Sequence, residues 1–431
     1  MKKTQLIFAG IATLLFSNTL FSQEKPKEWD ASLYGFARAD YTFDSRRSAQ
    51  VREYQLNLYP SDVLKDVNGE DVNATSGSNF LSVVSRLGVK FKGPDVWGAK
   101  VSGTIEGDFF GNVEVTSTAG TGNIGSFRLR HAYSTMTWSK TALTFGQTWY
   151  PTFVTDVFPG TANFSTGILY NPFGFAPQIK LRQTLSKNLF FEAVAYKDRE
   201  YQASSFTSNT QNAASFNSTV PTLHGKLEYR DKNVIAGVGA EYRTLRPSID
   251  NTGTTVTTRK ASTETLNSSL VMGYFKYSND KVIAKLYGVS GSNLTNLVML
   301  GGYASYPTTT GGVTTYTYKP TKTNAFWIDI ASANPKVAPG AFFGYSKNKG
   351  VSDAVASTSQ FFARGIGAAR SVDNTWRASG RIDFKQNKFR ISPELEYTSA
   401  TWGDTQLDGT AGGTKNTVGN LRVLASVVYS F

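Results

Sequence analysis

With 431 residues, 45 Lys and Arg against 32 Asp and Glu, and no cysteine, the chain is long and basic at net +13. The lack of cysteine excludes disulfides, zinc–thiolate sites and a lipid-modified cysteine. Its mean hydropathy of -0.27 suits a water-soluble protein, yet aromatic residues reach 13% and 39 glycines accompany them, more than a helical protein usually needs.

Lys2 and Lys3 precede an apolar stretch from Leu6 to Phe16, and small residues lead to a cut after Ser22, which predicts a secretory signal peptide over 1–22. Residues 23–30 then form a short periplasmic lead. Nowhere does the chain carry the roughly 20 apolar residues of a spanning helix. Export makes nucleic acid a poor partner for the positive charge, and directs it to small anions or to the acidic sugars and phosphates of an outer leaflet.

From residue 31 onward the pattern has a period of two. Leu33, Gly35, Ala37, Ala39 and Tyr41 alternate with Tyr34, Phe36, Arg38, Asp40 and Thr42, and the charges fall on one face only. Leu81, Val83, Leu87, Val89 and Phe91 oppose Arg86 and Lys90, and Val101, Ile105 and Phe109 oppose Lys100, Glu106 and Asp108. Leu223, Leu227 and Tyr229 oppose His224, Lys226, Glu228 and Arg230, while Trp376, Ile382 and Phe384 oppose Arg377, Arg381 and Asp383.

The connections alternate in length. Short ones lie at Lys92–Trp97, Trp138–Lys140, Ser186–Asn188, Arg230–Asn233, Ser278–Lys281, Ala333–Gly340 and Gln386–Lys388, with the Asn, Asp, Lys, Pro and Gly that tight turns demand. Long ones span about 44–79, 111–125, 150–175, 198–220, 245–262, 289–323, 347–373 and 403–416. This rhythm predicts an all-β fold over 31–431, a transmembrane antiparallel β-barrel of about 16 strands with short periplasmic turns and long external loops. Residues 289–373 are its least regular part: the Thr-, Gly- and Tyr-rich Tyr303–Tyr318 offers an extension of a hairpin, which leaves counts of 14 and 18 strands open beside 16.

At about 16 strands a lumen is too wide for side chains alone to fill. The non-lipid face places Arg38, Arg86, Arg128, Arg130, Lys180, Arg182, Arg243, Arg377, Arg381 and Arg422 inside, together with further lysines and a smaller set of carboxylates. Such a wall favours anions, because guanidinium groups stay charged and grip carboxylate or phosphate. The competing reading is that many of these cations pair with the inward carboxylates. Arg128 and Arg130, two apart on one strand, share a face about 7 Å apart, and Lys180 with Arg182 repeats the arrangement. Between the pairs, the loop over 150–175 carries Tyr150, Phe153, Phe158 and Phe164 and suits a constriction folded into the lumen. Packing on the rim or on a neighbouring subunit is the alternative.

Catalytic chemistry finds little support. His131 and His224 are the only histidines, and neither stands at triad spacing from a Ser and a carboxylate. An outer-membrane lipid-modifying enzyme would need His131 on the outer face, where its alternation with Leu129 and Tyr133 puts it. Asp66-Val67-Asn68-Gly69-Glu70-Asp71 resembles part of a calcium loop but lacks the downstream Glu, so no metal or other cofactor is expected.

The chain ends on an alternating strand in which Leu421, Val423, Ala425, Val427, Tyr429 and Phe431 share one face and Arg422, Ser426 and Ser430 the other. Tyr429 and terminal Phe431 resemble the strand signal that the barrel-assembly machinery reads in bacterial outer-membrane proteins.

Several segments resemble the DcaP-like trimeric porins of Gram-negative outer membranes. They are Leu33-Tyr34-Gly35-Phe36, Ser85-Arg86-Leu87-Gly88, Arg128-Leu129-Arg130-His131-Ala132-Tyr133 and Gly146-Gln147-Thr148-Trp149, and the resemblance is clearest over 31–185. It implies a homotrimer in the outer membrane that passes small anionic solutes, dicarboxylates in particular, with Arg86, Arg128 and Arg130 on the anion path. Some members carry a periplasmic coiled coil before the barrel, and Gln23–Asp30 is too short for one. The expectation is a non-enzymatic, anion-preferring diffusion channel embedded in outer-membrane lipid. The alternatives are a plugged or narrow barrel serving as adhesin or receptor, and a lipid-modifying enzyme.

Overall fold

A computed structural model describes residues 29–51, 55–111, 125–199 and 213–431. The predicted signal peptide over 1–22, residues 23–28 of the lead and most of the loops at 111–125 and 198–220 lie outside the described residues.

The alternating segments form a closed antiparallel barrel of 16 strands. They are β1 (Asp30–Asp44), β2 (Gly77–Leu81 and, after a break, Arg86–Val96), β3 (Ala99–Asp108), β4 (Arg128–Thr137), β5 (Thr141–Trp149), β6 (Phe175–Ser186), β7 (Leu189–Tyr196) and β8 (Thr222–Arg230). The second half comprises β9 (Val234–Leu245), β10 (Leu266–Ser278), β11 (Val282–Ser292), β12 (Lys322–Ser332), β13 (Val337–Asn348), β14 (Arg370–Gln386), β15 (Phe389–Thr405) and β16 (Ala411–Ser430). Each strand pairs with its sequence neighbours, and β16 closes the ring on β1 from Phe36↔Ser430 to Asp44↔Arg422. Closure is what permits strands in lipid, since each unpaired backbone group there costs several kcal/mol.

The two faces separate as the alternation demands. On β12, Phe326, Ile328 and Ile330 are exposed while Ala325, Trp327 and Asp329 are buried. Leu33 at 63%, Ile179 at 61% and Val238 at 62% exposure belong to an apolar belt around the outside, far larger than a water-exposed surface tolerates. Acyl chains are its solvent.

All seven predicted turns and all eight long connections join these strands in the predicted order. Among the described residues, the long connections differ in form. The last shrinks to 406–410, because β15 and β16 extend well past the belt. The connection between β11 and β12 holds the hairpin Gly301–Thr310 and Val313–Pro320, which pairs also with Phe361–Arg364. Gly311 and Gly312, both at positive φ, supply its two-residue turn.

The core sits inside the barrel, in its loop-side half. A hairpin of the first loop, Ser48–Val51 with Leu56–Pro60, brings in Leu56, Leu58 and Tyr59. These pack on Phe164, Ile168, Leu169 and Phe173 of the third loop and on Val298 and Leu300 of the sixth. The break in β2 contributes too: Val83 and Val84 turn into this core, and Ser85 Oγ accepts the Arg38 backbone N–H at 3.0 Å. A side chain thus supplies a hydrogen bond where the ladder is interrupted.

Candidate functional site

The third loop, 150–174, lies across the inside of the barrel and is tied to its wall from several sides. Ala162 O accepts from Arg38 Nη2 of β1 at 2.7 Å, and Phe158 O from Lys285 Nζ of β11 at 2.9 Å. Glu394 Oε2 of β15 accepts the Asn163 backbone N–H at 2.7 Å. Arg377 Nη1 of β14 donates to Ile168 O at 2.7 Å, and Arg230 of β8 pairs with Asp156 at 2.6 Å. Gly160 packs closely on the wall: a Cβ there would lie 2.4 Å from Arg381 Nη2 and would push aside the guanidinium that Asp329 holds. Among the aromatic residues of this loop, Tyr150 is fully buried, Phe153 stacks on Trp149 at 4.0 Å and on Phe158 at 5.6 Å, and Phe164 meets Phe110 edge-on at 5.2 Å.

Below this loop, toward the turns, a cavity of about 520 Å³ opens. Trp149, Phe153 and Val154 form its roof. Six cations line it, Arg86, Lys90, Lys180, Arg182, Lys226 and Arg230, against four carboxylates, Glu106, Asp156, Glu192 and Glu228. Lys226 pairs with Glu192 at 2.7 Å, Arg182 with Glu228 at 3.1 Å, and Arg86 stands 3.4 Å from Glu106. Lys90 lies over the Tyr34 ring at 4.8 Å. Neither Lys90 nor Lys180 has an ion-pair partner among the described residues.

Arg86, Lys180 and Arg182 of the expected path therefore face this cavity. The other seven are engaged elsewhere on the inner wall. Arg128 binds Asp108 at 2.7 Å, and Arg130 bridges Glu106 at 2.8 Å and Asp108 at 3.1 Å, so the two share a face but hold one carboxylate between them. Arg38 pairs with Asp40 at 2.8 Å, Arg381 with Asp329 at 2.8 Å, and Arg422 with Asp44 at 2.8 Å. Arg243 joins Asp198 at 3.1 Å and also donates to Asn293 O, which links the fourth and sixth loops. Arg377 donates to Thr398 Oγ1 at 2.8 Å and to Asn57 O at 2.7 Å, so it carries two loops at once. Tyr429 and Phe431 face the lipid, with Tyr429 packed on Phe389 at 6.3 Å.

His131 is a correction. The strand register shifts between Glu106 and Gly107, so Arg130 and His131 both turn inward. His131 is buried in the lumen, 3.8 Å from Glu106 and edge-on to Trp149 and Phe175 at 5.6 and 5.3 Å. Alternation alone puts it on the lipid face; a one-residue bulge reverses that. The lipid-modifying arrangement thereby loses its histidine. Lys226, Glu192 and Glu228 line the same cavity, on the inner face where alternation places them. The first-loop hairpin carries its own signal in the alternating Leu56-Asn57-Leu58-Tyr59.

The sequence matches no family model and no curated protein. Its backbone is similar to the outer membrane channel DcaP of Acinetobacter baumannii, at TM-score 0.61 and 16% identity over 94% of this chain and 99% of that one. The fold is that of an outer-membrane porin. The anion-selective porin from Comamonas acidovorans shares this porin fold at TM-score 0.54 and 12% identity, over 94% of this chain and 100% of that chain. The trimer form of OmpT of Vibrio cholerae does so at TM-score 0.52 and 12% identity, with the same coverages. Identities this low speak to the fold alone.

Proposed function

We propose that the protein is a passive, anion-preferring diffusion channel for small hydrophilic solutes of dicarboxylate type. The observation that supports it is the turn-side cavity, where six cations face four carboxylates and Lys90 and Lys180 stand without an ion-pair partner among the described residues. A divalent anion entering there gains Coulomb attraction without displacing an internal carboxylate, and a partner held only weakly can leave again. The loop at 150–175, with Tyr150, Phe153, Phe158 and Phe164, serves as the constriction. The working form is a homotrimer, exported by the signal peptide over 1–22 and assembled through the terminal signal of Tyr429 and Phe431. The channel performs no catalysis.

The test is the reversal potential of the folded protein across a KCl gradient in a planar bilayer, with succinate and phosphate as competitors. Chloride preference with block by succinate supports the reading; cation preference sinks it. A second reading draws on the dry packing of the first, third and sixth loops: a barrel closed by its loops that acts as a surface receptor. Negligible conductance in the same bilayer supports that one.

A further inference from the structure

The lysines on the turn side follow a pattern that the solute path leaves unused. One lysine lies in or beside each of the seven turns: Lys100, Lys140, Lys187, Lys232, Lys281, Lys336 and Lys388, all exposed. Lys100 pairs with Asp95 at 2.7 Å, in the open. The other six have no ion-pair partner among the described residues. Of the carboxylates at these turns, Asp95 holds Lys100, exposed Asp280 precedes Lys281 without an ion pair to it among the described residues, and Asp231 is occupied by its own turn, accepting the backbone N–H groups of Asn233 and Val234 at 2.8 Å and the Tyr229 hydroxyl at 2.9 Å.

On the loop side many cations are paired, although Lys65, Lys260, Lys322 and Lys349 are exposed there with no ion-pair partner among the described residues. There Arg46 pairs with Asp71 at 2.7 Å, Lys347 with Asp373 at 2.7 Å, Lys415 with Asp373 at 3.2 Å, and Arg370 with Asp62 at 2.8 Å. What sets the turn side apart is therefore its regularity, with a lysine at every hairpin and six of the seven left without an ion-pair partner among the described residues.

Height and distribution identify the partner. Exposed apolar residues of the belt end beside these lysines: Leu185 near Lys187, Tyr229 near Lys232, Val337 next to Lys336, and Phe389 next to Lys388. A lysine at that level lays its stem on the apolar edge and presents its ammonium at headgroup height. None of the seven lines the central cavity, so a solute held there does not meet them. Because one lysine belongs to each hairpin, the charges run around the whole perimeter. An acidic protein would cover one side of such a ring, whereas lipid surrounds all of it.

We infer that the turn-side rim is a binding crown for the phosphodiester headgroups of anionic phospholipids in the periplasmic leaflet. The positive charge of the chain thus serves the inner leaflet, where phospholipids lie, beyond any part it plays in the lumen. Attraction at a membrane surface fades within a Debye length and is salt-dependent.

The test uses the whole folded protein in phosphatidylcholine vesicles with spin-labelled phosphatidylglycerol or phosphatidylcholine as reporter. The expected result is a phosphatidylglycerol preference of about threefold at low salt, falling to parity near 1 M salt. Replacing Lys140, Lys187, Lys232, Lys281, Lys336 and Lys388 with Gln brings the preference to parity, and Arg at the same positions restores it. A control with Lys65, Lys260 and Lys349 changed to Gln on the loop side leaves it intact. Parity in the unmodified protein, a preference that survives the six Gln changes, or equal loss in the control overturns the proposal. So does a preference abolished by millimolar free phosphate, which would mark a small-anion site. If the six-Gln barrel does not fold, the salt series on the unmodified protein decides alone.

Discussion

The two halves of the lumen use the same residue types for opposite ends. In the loop-side half, arginines are consumed: Arg377 is 1% exposed and spends its guanidinium on Thr398 and on the carbonyls of Ile168 and Asn57. In the turn-side half, Arg182 keeps a third of its side chain exposed and Lys180 has no ion-pair partner among the described residues. What differs is the supply of acceptors. Folded-in loops carry carbonyls to the upper arginines, and aromatic residues from the same loops exclude water there. Below them the wall meets open space, and its cations stay available to a solute.

The largest effect is expected from Arg377→Met. It strands two loop carbonyls and leaves Glu396, 3.4 Å away, without its cation, at a cost of about 3–5 kcal/mol. A lowered unfolding midpoint together with noisy, enlarged single-channel currents is the expected result, and an unchanged barrel would erase the contrast between the halves. Next comes the double change Lys180→Glu and Arg182→Glu. At about 1 kcal/mol per reversed charge in a watery lumen, the chloride-to-potassium permeability ratio should drop roughly tenfold or more. An unaffected ratio would move the anion path out of the turn-side cavity.

Lys285→Met tests the boundary between the halves. It removes the charged donor on Phe158 O, worth about 1.5–3 kcal/mol, and loosens the middle of the third loop without touching the turn-side cations. Conductance should rise modestly while selectivity holds; a changed selectivity would join the two halves into one site.

The smallest effect lies outside the membrane, in the first loop. Backbone N–H groups of Glu70 and Asn68 hold the Asp66 carboxyl below the usual aspartate range. A depressed value in the folded loop means the turn is supported above the ordinary aspartate value and loses that support as pH falls through the lowered one. The amide resonances of Asn68 and Glu70 should therefore move only at a pH below the normal aspartate titration. Movement within the normal range would leave the turn without this support.

Much of the barrel is legible in residue order. The split of Leu421 and Val423 from Arg422 on β16, the turns at Gln386–Lys388 and Ser186–Asn188, and the hairpin near Tyr303 all follow from short-range rules of alternation and turn chemistry. The candidate site is less so. Alternation places Arg128 and Arg130 on one inner face, but their capture by Asp108 and Glu106 depends on which strand lies alongside and in what register. His131 shows the limit most clearly, since one extra residue in β4 opposite Glu106 and Gly107 reverses the face it occupies.

The linear chain dictates a period-two pattern, its punctuation and a surplus of positive charge, because each depends on neighbours within a few residues. Pairing is another matter. Asn57 reaches Arg377, and Ala162 reaches Arg38, across contacts that only closure of the ring creates. The folded barrel alone decides which cations find carboxylates or carbonyls and which, like Lys180, are left facing an open cavity.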